Sequence, residues 1–359
     1  MVSNYLAKII QVFLIAGVVA FLITPLSIKI ANKFGIIDKP RDDRRVHDRP
    51  IPRFGGLAIF IGTMLAWMIP ARTNPYLRVA MLGGLLMYLL GVADDIKNLK
   101  PATKFAGQTI IASLMYVMGI RISFIADYFG TNDGNINAHV VLGGGIAFII
   151  TVIWIVGITN AVNLMDGMDG LAAGSVAIMA LSLSYIAYIH GARLGSMTVG
   201  LALAAVAGGC LGFLPFNFSP AKTFMGDGGA LFLGFMIAVL SVISPLKRAT
   251  FVGAIVPMLT LAVPIFDTIA AMFRRRLRHE SIMQADKEHL HHHLLSAGFG
   301  QRRSVLIMYG IVGIMGIVSV LISRELYKDA FFLALIALLY LVIIMVPKNP
   351  EKKKKESDE

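Results

Sequence analysis

Apolar residues run through this chain in long blocks broken by short polar connections, and eleven such blocks stand out, near 9–31, 54–71, 77–93, 104–120, 143–160, 171–189, 196–214, 229–245, 250–273, 304–323 and 330–346. Most approach the roughly 17 to 25 residues a membrane-spanning helix needs, and a helix satisfies its own backbone polar groups in lipid. The pattern predicts an all-α, polytopic integral membrane protein of about eleven transmembrane helices. It reads as one transmembrane catalytic domain over 1–346 with a basic tail over 347–359. Composition agrees: 57% hydrophobic residues, 15% charged residues and a mean hydropathy of +0.74 exclude a soluble domain of 359 residues.

Charge orients the bundle, because loops rich in Lys and Arg stay on the cytoplasmic side. One face receives segments 32–53, 94–104, 161–170, 215–228, 274–303 and 347–359, which carry 23 of the 33 Lys and Arg. That face is read as cytoplasmic, with the N-terminus outside and the C-terminus inside. The opposite face holds short connections and one longer loop, Arg121 to Leu142, whose Thr-Asn-Asp-Gly-Asn stretch predicts a turn and a small hairpin. The net charge of +12 follows from this topology and from Lys352–Lys355, read as an anchor near anionic membrane lipid; nucleic acid is not needed as a partner. The first block is read as a retained helix, not a cleaved signal. Cys210 lies within a block and reads as a small buried hydrophobe.

Acidic residues are scarce near the apolar blocks except in three motifs: Asp94-Asp95, Asn163-Leu-Met-Asp-Gly-Met-Asp-Gly170 and Phe224-Met-Gly-Asp-Gly-Gly229. A carboxylate near hydrocarbon costs roughly 2.5 to 3.5 kcal/mol on insertion scales, so acids clustered at span ends imply a cation or a polar substrate. The orientation rests on basic residues alone, yet it puts all three motifs on the cytoplasmic face. Asn163, Asp166 and Asp169 recur every three residues and, if helical, share one face; Gly167 and Gly170 argue against a regular helix there. Asp227 at the start of the eighth block reads as a helix cap or as a metal ligand, and hard oxygen donors from Asn163, Asp169 and Asp227 suit magnesium, which bridges to substrate phosphates. Segment 274–303 is the longest loop on this face and is dense in donors suited to an anionic sugar nucleotide. Its His289, His291, His292 and His293 match no zinc-protease spacing, and Asp267 reads as a partner of a neighbouring polar group.

Four blocks together, Val46-His-Asp-Arg-Pro-Ile-Pro-Arg53-Phe-Gly-Gly, Gly91-Val-Ala-Asp-Asp95, Asn160-Ala-Val-Asn-Leu-Met-Asp-Gly-Met-Asp-Gly170 and Phe224-Met-Gly-Asp227, followed by the His-rich loop, resemble the polyprenyl-phosphate N-acetylhexosamine-1-phosphate transferases. The likeness runs from about residue 22 to 303. Eleven spans and the His289-Leu-His-His order resemble the bacterial branch that moves N-acetylglucosamine 1-phosphate from UDP-GlcNAc to undecaprenyl phosphate. His293 adds a His-His-His-Leu run like that of the phospho-MurNAc-pentapeptide translocases, so both branches stand as readings. An ion-coupled transporter is the distant rival, disfavoured because the acids sit at span ends and no internal repeat is found.

The resemblance implies Mg2+, with Mn2+ as a substitute, held by Asp227 and Asn163. It puts Asp169 and Phe224 at the uracil ring, Asp166 near the ribose, Arg53 and Lys104 near the phosphates, and His289, His291, His292 and Arg276 facing the sugar phosphate. Asp94, Asp95 and Lys104 form the catalytic set, with Asp94 often cast as the base that deprotonates the lipid phosphate. A phosphate monoester with a second pKa of about 6 is already mostly dianionic at pH 7, so the alternative is that Asp94 orients Lys104 or a metal-bound water. The partners implied are undecaprenyl phosphate, a UDP-N-acetylhexosamine and membrane lipid; a homodimer is compatible with the sequence.

Overall fold

The structure, a computed structural model, describes residues 2–38, 50–126, 139–194, 197–243 and 299–345. Within them the chain forms α1 (Val2–Phe34), α2 (Gly56–Trp67), α3 (Pro75–Lys97), α4 (Pro101–Val117), α5 (Gly144–Met165), α6 (Leu171–Leu194), α7 (Met197–Asn217), α8 (Gly226–Ile243), α9 (Gln301–Ser323) and α10 (Tyr327–Met345). Two small antiparallel ribbons complete it: β1 (Ile37–Asp38) with β2 (Ile51–Pro52), and β3 (Phe124–Ala126) with β4 (His139–Val141). The second ribbon stands between Arg121 and Leu142, where the sequence predicts a small hairpin; the Thr-Asn-Asp-Gly-Asn turn at 131–135 lies outside the described residues.

Seven of the described helices are long and apolar enough to cross a membrane: α1 from Tyr5, α3, α5, α6 to His190, α7, α8 and α9. The chain is therefore mostly helical and polytopic. The second apolar block is not one unbroken helix: α2 has 12 residues and gives way to a 3-10 turn at Pro70–Arg72. Twelve residues rise about 18 Å, and the turn and the residues up to Pro75 carry the chain the rest of the way to the start of α3. The block at 250–273, with Asp267, and the basic tail lie outside the described residues.

Burial follows sequence in the way a lipid-facing bundle requires. Every residue of α8 from Gly228 to Val242 is buried, as expected of a helix apolar on all sides. Helix α8 lies against α3, α5 and α2, while α1 packs on α7 and α2 and leaves Leu14, Val18 and Leu22 exposed on its outer side. Helix α9 packs on α6 and α10.

Two local features bring distant span ends together. Helix α3 stops at Asn98, which adopts the left-handed conformation (φ 48°) and returns its N–H to the Asp94 carbonyl at 2.8 Å; Pro101 then opens α4 at its first turn, where a missing N–H costs nothing. The Asn-Leu-Lys-Pro link is thus a tight helical hairpin that folds α4 back beside α3. At the crossing of α3 and α8, a Cβ on Gly91 would collide with the Asp227 carbonyl and the backbone of Gly228, so only glycine allows this approach.

Backbone atoms cannot yield as a flexible side chain can, and Gly91→Ala is expected to destabilise the bundle by about 1 to 3 kcal/mol, the usual range for overpacking. The expected outcome is a lower melting temperature in detergent together with reduced turnover; an unchanged melting temperature would show that α3 and α8 can separate without cost.

Candidate active site

The ends of α1, α3, α5 and α7 and the starts of α2, α4, α6 and α8 gather at one end of the bundle, and the polar motifs meet there. Asp227, in the first turn of α8, is the hub. Its Oδ2 accepts from Arg53 Nη2 at 3.1 Å, while Oδ1 accepts from Asn163 Nδ2 at 2.6 Å and faces Lys104 Nζ at 3.2 Å. Lys104 also pairs with Asp94 Oδ2 at 2.9 Å and donates to Asn163 Oδ1 at 3.2 Å. Three segments of chain therefore converge on one carboxylate of a fourth.

The local structure explains each position. Arg53 follows β2, and its strand neighbours hold it in place: Phe224 N–H donates to the Pro52 carbonyl (2.8 Å), Thr223 Oγ1 donates to the same oxygen (2.9 Å), and Gly55 N–H donates to the Phe224 carbonyl (2.8 Å). The 50–56 and 223–226 segments are thereby laced side by side. Lys104 sits one turn into α4, where the Asn98–Pro101 hairpin returns it over Asp94 in the last turn of α3. The Asp94 carboxylate also accepts from Leu99 N–H at 2.8 Å, so the turn itself fixes the acid that faces Lys104.

Asp95 has a different task from its neighbour. Its two oxygens accept the N–H groups of Asp227 (2.8 Å) and Gly228 (2.9 Å), which are free donors at the start of α8, and Arg53 Nε lies 3.2 Å from Oδ1. The side chain is 1% exposed. A carboxylate from α3 thus caps α8, where the amide donors and the positive helix end favour negative charge. Gly226 makes this possible: it has φ +70°, and a Cβ there would lie 2.6 Å from Asp95 Oδ2.

Asn163, Asp166 and Asp169 do not share one helix face. Helix α5 ends at Met165, so Asn163 alone stays on the helix and turns toward Asp227 and Lys104. Asp166 lies just past the helix end, half-buried. Burial in the surrounding protein pushes its carboxyl well above the ordinary range, Arg53 opposes this, and the charges of Asp227, Asp95 and Asp169 add to it. For Arg53, burial alone would lower the pKa, but Asp227 and Asp95, followed by Asp166 and Asp94, outweigh it and raise it, which keeps the guanidinium charged. Asp169 is buried and turns to the adjoining loop, accepting from Ala221 N–H at 3.0 Å. Phe224 is half-buried on that same loop.

Sequence reasoning missed several supporting residues. Gln108 and Asn160 exchange two amide hydrogen bonds (3.3 and 2.6 Å) between α4 and α5, one turn from Lys104 and Asn163. Asn217 accepts from Gly170 N–H (3.1 Å) and donates to the Thr223 carbonyl (3.0 Å), and so bridges two of the acidic loops. A polar residue inside an apolar block was the signal that could have marked Gln108, whereas Asn217 lies just past the block that ends at 214. His289, His291, His292, His293 and Arg276 lie outside the described residues.

Known proteins carry the same arrangement of sequence. The model of glycosyl transferase family 4 matches residues 77–245. The chain is 36% identical over 345 residues to a protein of Bacillus subtilis (strain 168) named "Probable undecaprenyl-phosphate N-acetylglucosaminyl 1-phosphate transferase", an alignment that spans 96% of this chain and 93% of the relative. It is 33% identical to the "Decaprenyl-phosphate N-acetylglucosaminephosphotransferase" of Mycolicibacterium smegmatis (86% of this chain, 81% of the relative). It is 26% identical to the "Undecaprenyl-phosphate alpha-N-acetylglucosaminyl 1-phosphate transferase" of Yersinia pestis (93% and 89%). With the Bacillus protein matched nearly end to end and the family model covering the segments that carry Asp94, Lys104, Asn163 and Asp227, this chain belongs to glycosyl transferase family 4.

Proposed function

We propose that the protein transfers N-acetylglucosamine 1-phosphate from UDP-GlcNAc to undecaprenyl phosphate, giving undecaprenyl-diphospho-GlcNAc and UMP. The site faces the cytoplasm in a bacterial cell membrane that the chain crosses eleven times, with its N-terminus outside. The observation that carries this reading is the convergence of Arg53, Asp94, Lys104, Asn163 and Asp227 at span ends, where a water-soluble diphosphate and a lipid phosphate can both reach. The near full-length likeness to the Bacillus protein supports the choice of sugar and acceptor.

An oxygen of the lipid phosphate attacks the sugar-linked phosphorus, a new P–O bond forms, and the bond to UMP breaks in line. Such a transfer needs positioning and charge neutralisation more than covalent help. Arg53 and Lys104 supply fixed positive charge beside the phosphates, Asp94 orients Lys104, and Asp95 holds Asp227 through the α8 backbone. Asp169 and Phe224 hold the uracil and Asp166 lies near the ribose, while Arg276 and His289, His291 and His292 face the sugar phosphate.

The cluster also fits Mg2+. The Lys104 ammonium sits against both the Asp227 carboxylate and the Asn163 amide oxygen, as a metal cation would. Magnesium characteristically takes one or two protein oxygens and completes its shell with water and the substrate's own phosphates. Asp227 and Asn163 would hold it, and when bound it would neutralise charge on the transferring phosphoryl group.

Three outcomes are expected. The detergent-purified protein should release UMP from UDP-GlcNAc in the presence of undecaprenyl phosphate and Mg2+, and lose this with EDTA and with Asp227→Ala; release only from UDP-MurNAc-pentapeptide would assign the translocase reaction instead. Asp94→Asn should lower turnover by the same factor at pH 6 and pH 8, since its part is to orient Lys104; a loss confined to pH 6 would make it a proton acceptor. Asp166 has a raised pKa in the fold, so its charge weighs against folding as pH rises from the ordinary carboxylate value of 3.8 through the raised one. In EDTA, Asp166→Asn should therefore gain thermal stability relative to the parent as pH rises across that window, and a difference constant with pH would refute the shift.

A further inference from the structure

Helix α9 follows the segment that carries the histidines and lies outside the part of the chain matched by the family model, yet its first turns reach two of the acidic loops. Tyr309 donates its hydroxyl to the Gly170 carbonyl at 2.5 Å. Near the start of the helix, Arg302 Nε donates to the Ser219 carbonyl at 2.8 Å, and Gln301 Oε1 accepts from Ser219 Oγ at 3.2 Å. Helix α9 thus grips both the Asp166–Gly170 turn and the Ser219–Ala221 loop, and these two are themselves joined by the Asp169–Ala221 bond.

The backbone of Gly170 is fixed on both sides, its N–H by Asn217 and its carbonyl by Tyr309. Gly170 needs this, because it ends the Met-Asp-Gly turn with φ +82° and its flanking residue Asp169 is one of the donor-binding candidates. The tyrosine ring is seated against Gly174, where any Cβ would collide with its Cζ and hydroxyl, so the hydroxyl has one direction to point. A side chain whose rotamer is locked by packing and whose polar tip holds a loop carbonyl is built to preorganise that loop.

We propose that Tyr309 is a positioning residue for the nucleotide donor, which holds the Asp166–Gly170 turn in its binding geometry through the Gly170 carbonyl. It touches neither substrate, and it couples the helix after the histidine-bearing segment to the uridine end of the site. The inference rests on the UDP-sugar reading given above for Asp166 and Asp169.

Tyr309→Phe keeps the ring and its seat and removes one oxygen. In the full-length protein, the expected result is a KM for UDP-GlcNAc raised roughly five- to tenfold, the scale of one hydrogen bond, with kcat and the KM for undecaprenyl phosphate within about twofold. Amide hydrogen exchange should quicken in a peptide covering 165–171 and stay unchanged in the core of α8. An unchanged donor KM overturns the proposal, as does a fall in kcat alone. If the parent protein releases no UMP from UDP-GlcNAc, the transferase reading fails by itself, and the exchange experiment then decides: faster exchange at 165–171 upholds the clamp, and unchanged exchange refutes it.

Discussion

The carboxylate of Asp227 is the point on which the polar end of the bundle depends. It stands at the start of α8, the most enclosed of the described helices, and meets Arg53, Lys104 and Asn163 within 3.2 Å. A charge in so apolar a chain is tolerable only when paired and hydrogen-bonded. Each partner comes from a different segment, so satisfying this one acid requires the 50–56 loop, α4, α5 and α8 to pack in one arrangement. Removing a single member of a buried pair typically costs about 3 to 5 kcal/mol, because the other charge is left uncompensated. Lys104 and Asp227, both mostly buried, fall under that rule more than Arg53, a third exposed.

Around the hub the structure separates two kinds of polar contact. Side chains that face one another across the cluster, Arg53, Asp94, Lys104 and Asn163, bond mainly to other side chains that a ligand could replace. Side chains that bond backbone, Asp95 on the α8 amides and Asn217 between Gly170 and Thr223, spend their capacity on shape, and Asp169 commits one oxygen to Ala221. The second group turns loops with few regular hydrogen bonds into fixed supports. This division also explains why adjacent Asp94 and Asp95 behave differently: one faces the hairpin to α4, the other the end of α8.

Much of the molecule was legible in the chain. Apolar blocks marked the helices, and the scarcity of acid near them marked Asp94, Asp95, Asp166, Asp169 and Asp227, with Asn163 in the same motif, as the residues to watch. The length of α2 was not legible, because its apolar block continues past Trp67 through Met68 and Ile69 to Pro70, and only the turn geometry ends the helix. The shared face expected of Asn163, Asp166 and Asp169 failed because α5 stops at Met165, a stop that Gly167 and Gly170 hinted at. Asn217, Gln108 and Tyr309 were hidden for a physical reason: each works through a partner at least 47 residues away, and no local spacing records such a pairing.

The cap that Asp95 places on α8 has a consequence for reading mutations. A helix end held by a carboxylate from another helix will slide or tilt if that carboxylate is shortened, lengthened or neutralised, and Asp227 travels with it. A loss of activity on altering position 95 would then include the effect of a displaced Asp227, whatever the altered side chain itself does. In this bundle, proximity of two acids in sequence is no guide to a shared chemical duty, and a ruined assay at one of them is as much a measurement of helix docking as of catalysis.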